Sequence, residues 1–165
     1  MKTPVTIRLV HSCDAGSLYR LIEQSRGQLE RWLPSLRAIT TLNATRQFIN
    51  RYVTAWRCGN GAGYVIQVNG QVVGMLTLEN MTATTADVGY WLENTAWGNG
   101  YVIAALQQLF PRVRQAGLTR LQLITAADNL RSQRVAQHTG FTLRQQLVGG
   151  VRGKTKMLLY ERRLR

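Results

Sequence analysis

The sequence predicts one mixed α/β domain over residues 1–165, with a central twisted mixed sheet of about seven strands flanked by about four helices. Three observations lead there. The chain has the length of a single domain, 165 residues, and is too short for two ordinary catalytic ones. Alternating apolar runs crowd between residues 63 and 92. The apolar period then changes from two to nearly four just after Gly98-Asn99-Gly100 and returns to a strand pattern near Leu118, which is the signature of a β-α-β crossover.

Residues 5–10 alternate enough for a first strand. A helix follows from Ser12, with Ser12 or Asp14 as its cap and Leu18, Leu21 and Ile22 as its buried stripe, ending near Gly27. Asn43 can cap a second long helix, in which Phe48, Ile49, Tyr52, Val53 and Trp56 recur at spacings of three and four until the glycines at 59, 61 and 63 end it. Residues 63–68 and 71–79 flank Asn69-Gly70, the strongest short hairpin signal, because this dipeptide accepts the positive φ angles of a type I′ turn. A third strand of this meander covers 86–92. Val102, Ile103, Leu106, Leu109 and Phe110 then line one face of a helix. A strand at 118–125, a helix at about 129–139 and strands near 141–147 and 154–162 complete the chain.

Composition narrows the function classes. Hydrophobic residues make up 45% and charged residues 18%, which excludes a disordered chain, and no apolar run approaches the roughly 20 residues that a membrane helix needs. No signal-peptide core follows Met1-Lys2-Thr3-Pro4-Val5, so a cytoplasmic protein with no membrane partner is expected. Cys13 and Cys58 fit no metal spacing and are not expected to pair in that compartment; His11 and His138 have no partner at ligand spacing either, so no metal is expected. The net charge of +13 is unevenly placed. Residues 1–57 carry nine Lys/Arg and three acids, residues 58–111 no Lys/Arg and three acids, and residues 112–165 twelve and two. A neutral-to-acidic middle between basic ends suggests a site of different character within a basic protein.

The strand that runs into Trp97-Gly98-Asn99-Gly100-Tyr101-Val102 and then into a helix can present free N–H groups to an anion at a helix N-terminus. An ordinary strand-to-helix turn gives the same pattern. It is neither a Walker loop, since no Gly-Lys-Ser/Thr follows, nor a Rossmann fingerprint, since the third glycine is missing. Together with Asp87-Val88-Gly89-Tyr90-Trp91-Leu92 before it, and Asn129-Leu130-Arg131-Ser132 followed by Gly140-Phe141 after the next strand, the turn resembles the GNAT family of acetyl-CoA-dependent N-acetyltransferases. Arg31-Trp32-Leu33-Pro34, Tyr64-Val65-Ile66 and Val73-Gly74 point more narrowly to its RimJ/RimL branch, which acetylates N-terminal amines of ribosomal proteins.

The resemblance, which runs from about residue 5 to 162, implies a GNAT-like fold and acetyl-CoA as cosubstrate. It implies that the pyrophosphate loop, Gln/Arg-x-x-Gly-x-Gly/Ala, falls on Trp97, Gly98, Asn99, Gly100, Tyr101 and Val102, with Trp97 in place of the polar end and Val102 in place of the small one. It also implies that the strand bearing Tyr90, Trp91 and Leu92 pairs with the pantetheine arm, that Asn129 contacts this arm, and that Ser132 sits near the sulfur and protonates the departing thiolate. Read without the family, Asn129 is a helix cap and Ser132 a first-turn serine.

Acetyl transfer needs a neutral amine and a proton acceptor, and an α-amine titrates near pH 8, so a carboxylate acting directly or through water suffices. Asp87, which matches the acidic position that precedes Gly-Tyr-Trp in sequences of the family it resembles, ranks first and Glu79 second, although such residues are more often solvated strand-end acids. An acid common in the branch's final strand region is replaced here by the basic Gly153-Lys154-Thr155-Lys156. Trp32, Trp56 and Tyr64 can wall an acceptor cleft or pack the core. The expected acceptor is a protein N-terminal α-amine of ribosomal type; a polyamine or amino sugar is the enzymatic alternative. A non-catalytic module holding ribosomal or transfer RNA through Arg112, Arg114, Arg120, Arg152, Arg162 and Arg163 is the other.

Overall fold

The computed structural model describes residues 3–149 and 155–164; Met1, Lys2, Arg152, Gly153 and Lys154, on which parts of the sequence reading fall, lie outside them. Seven strands, β1 (Val5–Leu9), β2 (Ala62–Val68), β3 (Gln71–Glu79), β4 (Thr85–Leu92), β5 (Arg120–Ala126), β6 (Thr142–Gly149) and β7 (Thr155–Arg163), form one sheet in the order β1-β2-β3-β4-β5-β7-β6. Neighbours are antiparallel except β4 and β5, the crossover pair. Four α-helices cover the faces: α1 (Ala15–Trp32), α2 (Leu42–Arg57), α3 (Tyr101–Gln115) and α4 (Leu130–His138).

The alternation of each strand sorts its side chains onto two cores. Ile66, Leu76, Val88, Leu121 and Leu123 pack on the α3 side with Leu106 and Leu109, while Val65, Met75 and Trp91 pack on the α1/α2 side with Leu18, Ile22 and Ile49. Asn69 and Gly70 both have positive φ, 50° and 78°, as the type I′ turn between β2 and β3 requires. The β2/β3 pair has one register shift at Ile66/Gln67, and on the other side of β3 the backbone of β4 leaves no room at Gly74: a Cβ would lie 2.1 Å from the Trp91 carbonyl oxygen.

Two helix boundaries differ from the sequence expectation. The first helix does not end near Gly27 but runs to Trp32. An exposed mid-helix glycine costs about 1 kcal/mol relative to alanine, and burial of Leu29 with ion pairs from Arg26 to both Glu23 and Glu30 offsets it. Arg26 also donates to the Ile39 carbonyl at 2.6 Å, and Ser25 Oγ accepts from the Asn94 amide at 3.0 Å, which fixes α1 against the segment that enters α3. The second helix is capped by Thr41, whose Oγ1 accepts from the Ala44 amide at 3.0 Å, so Asn43 lies inside it.

Asp14 occupies the cap position of α1, but its carboxylate turns back to Arg8 (2.8 and 2.9 Å) and to the His11 amide (2.8 Å). Burial pushes its pKa up, and the Arg8 and His11 hydrogen bonds outweigh this and hold it below the ordinary carboxylate value. A depressed folded-state pKa stabilises above the unfolded value and is lost as pH falls through the folded one. Asp14→Asn is therefore expected to cost about 2 kcal/mol at pH 7 and to become nearly neutral relative to the parent once the pH is below both pKa values. Urea denaturation at the two pH values measures this.

Candidate active site

The parallel pair that builds the centre of the sheet is short. β4 and β5 are in register only over Thr85↔Arg120, Ala86↔Leu121 and Asp87↔Gln122. Beyond that point the strands part, and residues 88–92 on one side and 123–126 on the other wall a cavity of about 440 Å³. Backbone groups on the facing edges have no strand partner there, so they are available to a ligand laid between the strands. A cavity between the carboxyl ends of parallel strands is where open α/β sheets bind ligands.

The mouth of the cavity is formed by the turn into α3. Gly98 and Gly100 take positive φ, 80° and 75°, and a Cβ at either would meet nothing within 4 Å, so there is open space beside both. The first intrahelical bond runs from the Ala104 amide to the Gly100 carbonyl at 3.1 Å, which leaves the N–H groups of Tyr101, Val102 and Ile103 without helical acceptors. Those donors and the positive end of the helix dipole fit a diphosphate. The Asn99 side chain turns back to the Ala96 and Trp97 carbonyls (3.3 and 3.1 Å) and closes the turn rather than lining the cavity. Val102 fits the helix start because its side chain enters the core on the α3 side.

Trp97 is locked by its own Nε1–H, which donates to the Leu92 carbonyl at 3.0 Å, and its indole carries the guanidinium of Arg131 at 4.0 Å from the ring. Arg131, Ser132 and Arg134 come from the first turns of α4. Asn129 caps that helix, its Oδ1 accepting from the Ser132 amide at 3.2 Å, and it lines the cavity as well. Ser132 Oγ lies 2.8 Å from the Tyr90 hydroxyl. Burial pushes the Tyr90 phenol up to about 12, and the hydrogen bond with Ser132 lowers it by less. The phenol thus stays protonated at neutral pH and gives the pair a proton that can be held on Tyr90 while the serine hydroxyl turns into the cavity.

The structure brings together Tyr90, Trp91, Leu92, Trp97, Gly98, Gly100, Tyr101, Val102, Asn129 and Ser132 around one cavity. It places Asp87 and Glu79 elsewhere, on neighbouring positions of β3 and β4 at the closed end of the parting strands. Asp87 accepts from the Asn80 side-chain Nδ2 at 2.8 Å; Glu79 accepts from the Tyr52 hydroxyl at 2.5 Å. Register puts Glu79, Asp87, Gln122 and Glu161 in one lateral row on one face of the sheet. Glu161 is matched by Arg120 and Arg144 at 3.5 and 3.6 Å, whereas among the described residues no cation pairs with Asp87. No aspartate or glutamate is among the described residues that line the cavity.

At the end of α1, Leu29, Trp32 and Leu33 reach the cavity; of these the sequence points only to Trp32 as a wall, and Trp56 and Tyr64 do not line it. Sequence reasoning also misses Arg131, Arg134, the β5 residues and Met157. The signal for the β5 residues was present: they end the parallel strand that follows the crossover helix.

A family model, the acetyltransferase (GNAT) domain, matches residues 5–142. The ribosomal-protein-serine acetyltransferase of Escherichia coli K12 is 28% identical over 129 residues, covering 76% of this chain and 72% of its own. Among solved structures, that of RimL, a ribosomal L7/L12 α-N-protein acetyltransferase in complex with coenzyme A, superposes with a TM-score of 0.93 at 22% identity, over 99% of this chain and 96% of that one. Mycobacterium smegmatis RimJ, in complex with a CoA disulfide, gives 0.88 at 26% identity over 96% and 81%. With its parted β4/β5 pair, the glycine turn at its mouth and a family match over most of its length, the chain belongs to the GNAT acetyltransferase family.

Proposed function

We propose that the chain is an acetyl-CoA-dependent N-acetyltransferase whose acceptor is the α-amine of a protein N-terminus, of the ribosomal-protein type. The observation that carries this reading is the parted β4/β5 pair, with free helix N–H groups at its mouth and the Tyr90–Ser132 pair inside. Acetyl-CoA supplies an activated thioester. The chain's own residues hold its diphosphate at Gly98–Val102, receive its pantetheine arm along Tyr90, Trp91, Leu92 and Asn129, and place Ser132 by the sulfur. The amine nitrogen attacks the carbonyl carbon directly; as the C–N bond forms and the C–S bond breaks, Ser132 gives its proton to the thiolate and is reprotonated from solvent through Tyr90.

The proton lost by the amine goes to Asp87 through water in this reading, with Glu79 as the second candidate. Asp87 immediately precedes Val88, the first β4 residue on the cavity wall, and it is the member of the acidic row held only by a neutral amide. The acceptor class is supported by the relatives named as ribosomal-protein acetyltransferases, and it implies work in the cytoplasm near the ribosome. No helix among the described residues is long and apolar enough to cross a membrane. The alternative of an RNA-holding module is not favoured, because two of its arginines are engaged within the fold. Arg162 lies 4.2 Å over the Phe110 ring and donates to the Thr139 carbonyl, and Arg120 pairs with Glu161.

Thiol release from acetyl-CoA tests the reading, with a peptide bearing a free α-amine, the same peptide blocked at that amine, a polyamine and an amino sugar as acceptors. Release with the free peptide alone is expected, rising with pH towards the amine's pKa near 8. Asp87→Asn should lower the turnover number about tenfold or more without changing acetyl-CoA affinity. Release with polyamine or amino sugar alone would reassign the acceptor, and no release with any of them would refute the activity.

A further inference from the structure

The loop that meets the diphosphate has lost its own polar end, since Trp97 stands where the family's pattern has Gln or Arg. The position is nevertheless not without a cation. Arg131, from the first turn of α4, lies face-on over the Trp97 indole at 4.0 Å, and both residues line the cavity beside Gly98 and Gly100. The indole is itself fixed by its bond to the Leu92 carbonyl, so it serves as a rigid platform. An arginine stacked on an aromatic face keeps its in-plane N–H donors free and loses little further freedom when they bind an oxyanion.

We infer that the Arg131 guanidinium, positioned by Trp97, is a ligand of the diphosphate of the CoA moiety and supplies a charge at the loop end where Trp97 stands. This rests on the proposed use of acetyl-CoA. It assigns Trp97 a role that neither a loop contact nor core packing describes: the ring does not bind the anion but aims the group that does. The charge is brought from α4 to the mouth where the N–H groups of α3 point, so the anion is held from two helices, one offering neutral donors and the other a full charge.

Calorimetric titration with CoA, dephospho-CoA and pantetheine tests this on the whole chain, since the second ligand lacks only the 3′-phosphate and the third lacks every phosphate. Arg131→Gln is expected to weaken CoA and dephospho-CoA by the same factor, about tenfold, and to leave pantetheine unchanged. Trp97→Leu should produce part of that loss and Trp97→Phe less of it. Arg46→Gln, which removes an exposed arginine of α2, controls for net charge and should change affinity less than twofold. Thermal denaturation of each variant shows that the fold is kept. Loss confined to CoA would overturn the assignment in favour of the 3′-phosphate, and affinities equal to the parent for both would overturn it altogether. If the parent itself binds neither CoA nor dephospho-CoA, the failure lies with the proposed function instead.

Discussion

Ser132→Ala is expected to lower the turnover number about a hundredfold while leaving the dissociation constant for acetyl-CoA within about twofold of the parent. The backbone amide of Ser132, not its hydroxyl, is what Asn129 caps, so the substitution keeps the helix start intact. What it removes is the cavity-lining hydroxyl 2.8 Å from that of Tyr90, to which the proposed mechanism gives the protonation of the thiolate. Tyr90→Phe leaves the serine its own proton but takes away the group that orients and replenishes it, so a smaller loss, about tenfold, is expected. Asn129→Ala should behave differently from both, losing about 1 kcal/mol of stability through the cap. Stopped-flow thiol release at saturating acceptor separates these effects. Parent-like turnover in Ser132→Ala would reduce Ser132 to a first-turn serine.

The second large effect is on folding, and it pairs two substitutions that look alike on paper. Gly74→Ala would place a Cβ 2.1 Å from the Trp91 carbonyl oxygen and 2.8 Å from the Leu92 Cα, both backbone atoms of a central strand that cannot yield alone. A loss of about 3 kcal/mol is expected, or roughly 10 °C in Tm for a chain of this length. Gly27→Ala meets nothing within 4 Å on an exposed helix face and should stabilise by up to about 1 kcal/mol. Because the strand displaced by Gly74→Ala carries Tyr90, Trp91 and Leu92, CoA affinity should fall with stability in that variant alone. Circular dichroism melts with and without CoA measure both effects.

These cases show where the sequence is informative. The hairpin at Asn69-Gly70, the crossover through α3 and the capping role of Asn129 are local events, written in residues that only a few conformations satisfy. The glycine turn was legible for the same reason. The path of α1 past Gly27 was only half legible: the i,i+3 and i,i+4 pairs of Arg26 with Glu23 and Glu30 are local signals, but the packing of Leu29 with distant parts of the core is not. Likewise Arg131 over Trp97 and Tyr90 beside Ser132 join residues 34 and 42 positions apart, and no spacing rule connects them. The candidate bases mark the same limit. Asp87 and Glu79 stand out by their place in the chain, and the register sets them side by side at the closed end of the parted strands, outside the cavity wall.

Titration of the purified chain with acetyl-CoA at moderate salt, with free CoA and ATP as comparisons, bears most directly on the central claim that the parted strands and the α3 turn form a cosubstrate site. ATP shares the charge that a +13 chain attracts without sharing the pantetheine arm. Saturable binding of acetyl-CoA and CoA that persists as salt is raised, with ATP weak and salt-sensitive, is the predicted result. Equal, weak and salt-sensitive binding of all three would contradict the account and leave the cavity without its proposed ligand.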